Sequence, residues 1–478
     1  MKKTVSLITI AVLLTNRLVM AFYIQSVKAR ETIYIRADGS IYPLTAPIST
    51  ADKVTYTFTG SINDSIVVER DNIVVDGIGY VLRGLGNGSG IDLSFRSNVT
   101  IKNIEIEHFD YGIYLNHSTK NIINGNIMTA INFEAVRLYE SSNNNITGNN
   151  IATNVWDGIV LYGSSNNEIT KNNLTSNYDG LRLYESLNTS IAENVITNNY
   201  HGIFLAFSLN NTIVKNNITA NNGNGISLYW SSNENRIVEN HIAANSWCGL
   251  RLNESSNNLI YHNNFVDNAY QIDTLNSVNV WDGGYPSGGN YWSNSISIDL
   301  YEGAYQNETG SDGIGDTQYT IDENNRDNYP LMGLCYNFEL MLGRERYHVE
   351  VVSNSTVSNL IIGVVLDHFP PYLPFGQMFI EFRVEDTLNT TKFCRVIIPR
   401  AVLNGRYIVL IDYEEVPAHE LPASNSTHAY LYFIYEHTKQ KHDVIIIPEF
   451  STAIILPFFM IMSCLLYTSD AADEEDSV

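Results

Sequence analysis

From Gly90 to Gln271 the chain repeats itself about every 22 to 24 residues, a period that belongs to a stack of identical supersecondary units rather than to a conventional globular core. The repeat is marked by Gly90, Gly112, Ala135, Gly158, Gly180, Gly202, Gly225, Gly249 and Gln271. Each mark is followed by an alternating triplet, such as Ile159 and Leu161, Leu181 and Leu183, or Ile203 and Leu205. Alternation at period two puts those aliphatic side chains on one face of a short strand and Val160, Arg182 and Phe204 on the other. Asparagines recur at two further phases: Asn143, Asn166, Asn188, Asn210, Asn233 and Asn257, then Asn126, Asn149, Asn172, Asn194, Asn216 and Asn263. Asparagine tolerates left-handed backbone, and identical amides stacked one strand apart form ladders. A helical solenoid would need runs of good helix formers, which these segments lack. The pattern predicts an all-β fold: a right-handed parallel β-helix of about nine coils, closed at both ends.

The repeat "DGIVLYGSSNNEITKNNLTSN" and its neighbours from Gly112 to Asn268 resemble NosD-type parallel β-helix repeats, a subset of the carbohydrate-binding and sugar-hydrolase β-helix group. The segments "WDGGYPSGGNYWS" from Trp281 and "DGIGDTQYTID" from Asp312 resemble a recurrent archaeal surface-protein layout. The resemblance implies a fold and an extracytoplasmic, cell-surface location. It says little about activity, because repeat residues report stacking rather than chemistry.

Lys2 and Lys3 precede an apolar run from Val5 to Leu14, and Val27 and Ala29 flank a small-residue cleavage point, so residues 1–29 are expected to be a secretory signal. An uncleaved anchor from Val5 to Ile24 is the alternative. Residues 30–64 are assigned to an N-terminal cap, 65–279 to β-helix repeats, and 280–330 to a Gly, Asn and Asp-rich capping segment. Over 331–447 the strands lengthen ("RYHVEVVS", "MFIEFRVED", "KFCRVIIPR", "RYIVLIDYE", "AYLYFIYEH"), which predicts a small antiparallel β-sandwich. Pro448, Glu449 and Phe450 resemble a PEF-type sorting signal, which implies a membrane helix beginning within 448–463 and processing by an archaeosortase. The apolar run from Ala453 to Met462 is shorter than the ~20 residues a span needs. The run "CLLYTSDAADE" resembles the translation of a sequencing adapter, so 464–478 is set apart from the native chain, with a genuine acidic tail as the alternative. Sequons such as Asn63, Asn98, Asn173 and Asn354 fit an exported glycoprotein.

A formal charge of −23, with no clustered Lys and Arg, excludes nucleic acid as a partner. Among outward positions Arg137, Arg182 and Arg251 form one column, and Tyr139, Tyr162, Tyr184 and Tyr229 a second. Aromatic faces stack on sugars and guanidinium groups bind carboxylates, so this strip is a candidate site for an acidic polysaccharide, within a partner class of polysaccharide or glycoconjugate. Ordinary cross-strand packing is the competing reading. A further aromatic column, Phe133, Trp156, Tyr178, Tyr200 and Trp247, is expected to be a packing stack at a coil corner. Asp157 and Asp179 lie one coil apart, near the ~5 Å used by retaining glycosidases, and are the weak catalytic candidates. Binding, a polysaccharide lyase or hydrolase, and a NosD-like accessory role for a copper enzyme all remain open, with enzymatic activity the less favoured. Copper itself is doubtful, since His201, His241 and His262 occupy different phases and methionines are few. Asp312, Asp316, Asp322, Asn324 and Asp327 form an oxygen-rich set suited to Ca²⁺, with Asx turns as the alternative.

Overall fold

The structure is a computed structural model that describes residues 32–364 and 376–449. The expected signal and the segment from Phe450 onward lie outside the described residues. Among those residues there is no helix long and apolar enough to cross a membrane.

The repeat folds as a right-handed parallel β-solenoid of about 10 turns. Its strands stack into a 12-stranded, an 11-stranded and a 10-stranded sheet. Successive marks fall in register: Ile159 pairs with Leu181, Leu181 with Ile203, and Ile203 with Ile226. Ile159, Leu161, Leu181, Leu183, Ile203 and Leu205 are fully buried in one continuous core. Alternation therefore produces an apolar interior with no helix to cover it.

Three asparagine ladders bind the coils at their corners. One runs through Asn126, Asn149, Asn172, Asn194, Asn216, Asn240, Asn263 and Asn290, each amide donating to the next side-chain oxygen at 2.9–3.0 Å. A second includes Asn144 and Asn167, then Asn211, Asn235 and Asn258. A third joins Asn154, Asn177, Asn199, Asn221, Asn245 and Asn268. Within each ladder the same oxygen usually also accepts a backbone N–H, as Asn172 does from Asn149 at 3.0 Å. The column at Asn143, Asn166, Asn188, Asn210 and Asn257 does not form the second ladder. These residues take the left-handed turn, with φ of 52–60°, and hand the ladder to the residue after them. The third ladder recurs in the sequence at spacings of 23, 22, 22, 24 and 23 residues, a phase not among those singled out above.

The solenoid begins earlier than the assigned boundary at residue 65. Ile33–Ile35 already pairs in parallel with Ile66–Val68, and Tyr56 and Phe58 join the same core. At the other end Trp292 stacks between Phe265 at 4.6 Å and Tyr319 at 4.3 Å. Asn325 and Asp327 terminate two ladders there. Asp327 accepts from Asn290 N, Trp292 Nε1 and Tyr329 N, and Asn325 accepts from Asn279 N and Trp281 Nε1. Gly289 lies against the Asp327 carboxylate so closely that a Cβ would collide with it. Gly289→Ala is expected to cost about 1–3 kcal/mol as overpacking, read as a lower midpoint in denaturant unfolding.

The C-terminal unit is two five-stranded antiparallel sheets sharing one core, which contains Val351, Val396 and Phe433 from one sheet and Ile380, Phe382 and Val444 from the other. Leu334–Leu342, Thr356–Val364 and Lys441–Pro448 are strands in addition to the five expected. The sandwich is locked to the cap by Arg395, fully buried, which donates to the carbonyls of Asp312 and Pro286.

Candidate carbohydrate-binding face

The outward face of the 12-stranded sheet concentrates aromatic and charged side chains. In Asp179–Tyr184 both Gly180 and Leu181 face the core, since a Cβ on Gly180 would meet Ile196 and Asn199. That irregularity turns Asp179, Arg182 and Tyr184 outward together. Repeated along the stack, it produces three columns: Glu134, Asp157, Asp179 and His201; then Arg137, Val160, Arg182, Phe204, Ser227 and Arg251; then Tyr139, Tyr162, Tyr184, Ala206 and Tyr229.

The tyrosines form a ladder of their own. Tyr139 and Tyr162 lie 5.3 Å apart and Tyr162 and Tyr184 5.0 Å apart, both pairs tilted by only 9°. Their ring faces cover one another, so they present edges and hydroxyls to solvent. Tyr229 instead stacks on Phe204 at 5.3 Å.

Each arginine of the middle column is paired within the protein. Arg137 meets Glu134 at 3.3 Å, Arg251 meets Asp273 at 3.2 Å, and Arg182 bridges Asp157 at 3.1 Å and Asp179 at 2.6 Å. Asp157 also accepts the Asp179 backbone N–H at 3.0 Å. Burial pushes Asp179 up to about 7 although Arg182 opposes it, and burial likewise raises Asp157 and Glu134. Burial, aided by Arg182 and Arg251, lowers His201 to about 4, so its ring is neutral at pH 7 and accepts from Asn224 N at 3.0 Å. Asp179 and Asp157 are 0% and 2% exposed, and both are held by Arg182. Glu134 is not among the residues singled out from the sequence and His201 is weighed there only as a metal ligand, yet both share the phase of Asp157 and Asp179, and that phase was the available signal.

The corner column does pack: Trp156 and Tyr178 lie 6.0 Å apart, Tyr178 and Tyr200 5.0 Å. It is also open, with Phe133, Trp156, Tyr178 and Trp247 41–50% exposed. These rings form an aromatic ridge beside the arginine column.

The loop aspartates are used by the backbone. Asp316 accepts from Leu300 N and Tyr301 N, Asp312 from Ile314 N, and Asp322 from Asn324 N. Asn324 is exposed. Among the described residues, the one group of three or more His, Cys, Asp or Glu ligand atoms within 4.8 Å of each other is His262, Cys335 and Glu350; the loop aspartates form no such group.

Fold and face together define an all-β protein built of a right-handed parallel β-helix and a β-sandwich. Residues 153–295 match the family model described as periplasmic copper-binding protein (NosD), and residues 56–186 that of the right-handed β-helix region. These matches, together with the solenoid, support a NosD-type parallel β-helix for that part of the chain. No curated protein matches it. Among solved structures it is similar to a mutant of the periplasmic alginate epimerase AlgG (15% identity, 49% of this chain and 80% of that one, TM-score 0.37). It is also similar to pectate lyase Pel9A (15%, 50% and 76%, 0.37) and to an alginate lyase from Paenibacillus sp. str. FPU-7 (14%, 48% and 91%, 0.33). At these scores the likenesses do not bear on what the chain binds.

The stretch matched to NosD contains no methionine, His201 is engaged with Asn224, and of its histidines and its cysteine only His262 joins a group of three ligand atoms among the described residues.

Proposed function

We propose that this is an exported β-helix protein that binds carbohydrate along the outward face of its 12-stranded sheet. The observation that carries this reading is the ridge of half-exposed rings at Phe133, Trp156, Tyr178 and Trp247 at one edge of the sheet, whose other edge carries the hydroxyls of Tyr139, Tyr162 and Tyr184. Repeated at strand spacing on a rigid scaffold, such rings suit a linear sugar polymer, whose apolar faces stack on aromatics. Arg137, Arg182, Tyr229 and Arg251 complete the strip. Because each arginine already holds a carboxylate, the face suits sugar hydroxyls better than uronate charges. The family description as periplasmic supports an extracytoplasmic location. Tethering through the segment after Pro448 belongs to the same reading.

A glycan array probed with the full chain tests it. Neutral polysaccharides are expected to bind with little dependence on salt. Binding confined to polyuronates and abolished by moderate salt would reverse the assignment of ligand class.

A further inference from the structure

The junction between solenoid and sandwich brings together three side chains that sequence separates widely. His262 leaves the last coils, while Cys335 and Glu350 lie on the first two strands of the sandwich, Leu334–Leu342 and Glu345–Ser353. All three are buried, and their ligand atoms lie within 4.8 Å of one another. His262 Nδ1 is 3.0 Å from Glu350 Oε2. Its other nitrogen faces the Ser287 carbonyl at 3.0 Å. The carbonyl can only accept, so Nε2 carries a proton, while Nδ1, unless it is protonated too, meets the carboxylate as a second acceptor. Two acceptors meeting in this way require a proton or a cation between them. Glu350 Oε1 is buried with no hydrogen-bond partner.

The backbone holds the arrangement in place. Asn264, two residues beyond His262, donates to Cys335 O at 2.9 Å and accepts from Cys335 N at 2.8 Å. A groove of about 300 Å³, lined by Glu239, His241, Asn264 and Cys335 among others, lies next to this cluster.

We propose that His262, Cys335 and Glu350 form a binding site for a divalent cation of the zinc class, joining the β-helix to the sandwich. One imidazole nitrogen, one thiolate and one carboxylate are the donor types zinc takes, and three protein ligands leave one position for water. Bonds of about 2.0–2.3 Å hold ligand atoms roughly 3.5 Å apart, so small side-chain rotations close the set. A doubly charged ion with one thiolate, one carboxylate and a neutral imidazole sums to zero charge, which suits a buried site. An all-oxygen preference, as for calcium, would not use the sulfur. Burial, reinforced by Glu350 and Glu239, pushes the Cys335 thiol well above its ordinary value, so coordination exchanges the S–H proton for the S–metal bond and releases that proton to solvent. The Ser287 carbonyl, bonded to His262, fixes the tautomer that ligates.

The test uses the full-length protein, stripped with chelator and equilibrated with Zn²⁺ or Co²⁺. One zinc per chain is expected, with a near-ultraviolet thiolate-to-cobalt charge-transfer band. Cys335→Ala should abolish the band and weaken zinc affinity more than about 100-fold, beyond the roughly 10- to 100-fold that loss of an outer-shell partner costs. Should Cys335→Ala fail to fold, a variant carrying Cys248→Ala, Cys394→Ala and Cys464→Ala, which keeps Cys335 as its sole cysteine, must retain the band. Folded wild-type protein that takes up no stoichiometric zinc, or a band that survives Cys335→Ala or disappears from the sole-cysteine variant, would overturn the proposal.

Discussion

Replacing Arg182 by methionine is expected to destabilise the protein by about 3–5 kcal/mol at neutral pH, the scale of leaving a buried charge without its partner. Arg182 alone bridges Asp157 and Asp179, neither of which reaches solvent. The loss depends on pH in a definite direction. Asp179 has a folded-state pKa raised from 3.8 to about 7, so its contribution to stability is full below about 4 and is lost as pH rises through about 7. Removing Arg182 raises that pKa further, so the variant's deficit relative to wild type grows with pH and shrinks near pH 4, where Asp179 is neutral. Denaturant unfolding of the two proteins at pH 4 and pH 8 checks this. Asp157→Asn and Asp179→Asn added to Arg182→Met should recover most of the loss, because the orphaned charges go with their partner. A deficit independent of pH would mean that Arg182 acts by packing.

Asn172→Ala should cost about as much, about 3–5 kcal/mol, for a different reason. Its oxygen accepts both the backbone and the side-chain N–H of Asn149 at 3.0 Å, and its amide donates to Ile146 O at 2.9 Å and Asn194 Oδ1 at 3.0 Å. Truncation removes four hydrogen bonds, each worth about 0.5–1.5 kcal/mol net, and takes from Asn149 N its side-chain acceptor, while Asn149 Nδ2 keeps Ile123 O and Asn194 Oδ1 keeps the backbone N–H of residue 172. The exposed neighbour Asn173 donates to Asn150 at 3.0 Å on the surface, and Asn173→Ala is expected to change stability by less than about 0.5 kcal/mol. Equilibrium unfolding of the pair separates the ladder from generic asparagine content. Equal losses would contradict the ladder account.

Much of the fold was legible because β-helix stacking is periodic. Ile159, Leu161, Leu181 and Leu183 announced the interior by alternation alone, and Asn126 through Asn263 announced one ladder. Phase was harder. Asn143 and Asn144 are adjacent asparagines with opposite jobs, one turning the backbone at φ 60° and the other carrying the ladder, and composition does not distinguish them. The coil count of about nine fell short of the observed stack because the cap strand Ile33–Ile35 belongs to the solenoid without carrying the repeat.

The candidate face was legible in part. The outward columns of Arg137, Arg182 and Arg251 and of Tyr139, Tyr162 and Tyr184 follow from period two, but their partners do not. Asp179 sits outward beside Arg182 only because Gly180 and Leu181 both turn inward, a break in alternation that strict periodicity misses. The cluster of His262, Cys335 and Glu350 left no local trace, since it depends on how two units dock. Four cysteines with no metal-ligand spacing gave no hint of it.

Binding is tested most directly by titrating the best neutral glycan from the array against wild type and against Trp156→Ala, Tyr178→Ala protein. Each half-exposed ring is worth about 1 kcal/mol, so the double variant should bind roughly 10- to 30-fold more weakly while its unfolding midpoint stays close to wild type. Undiminished affinity in the folded double variant would contradict a sugar-binding ridge on the 12-stranded sheet.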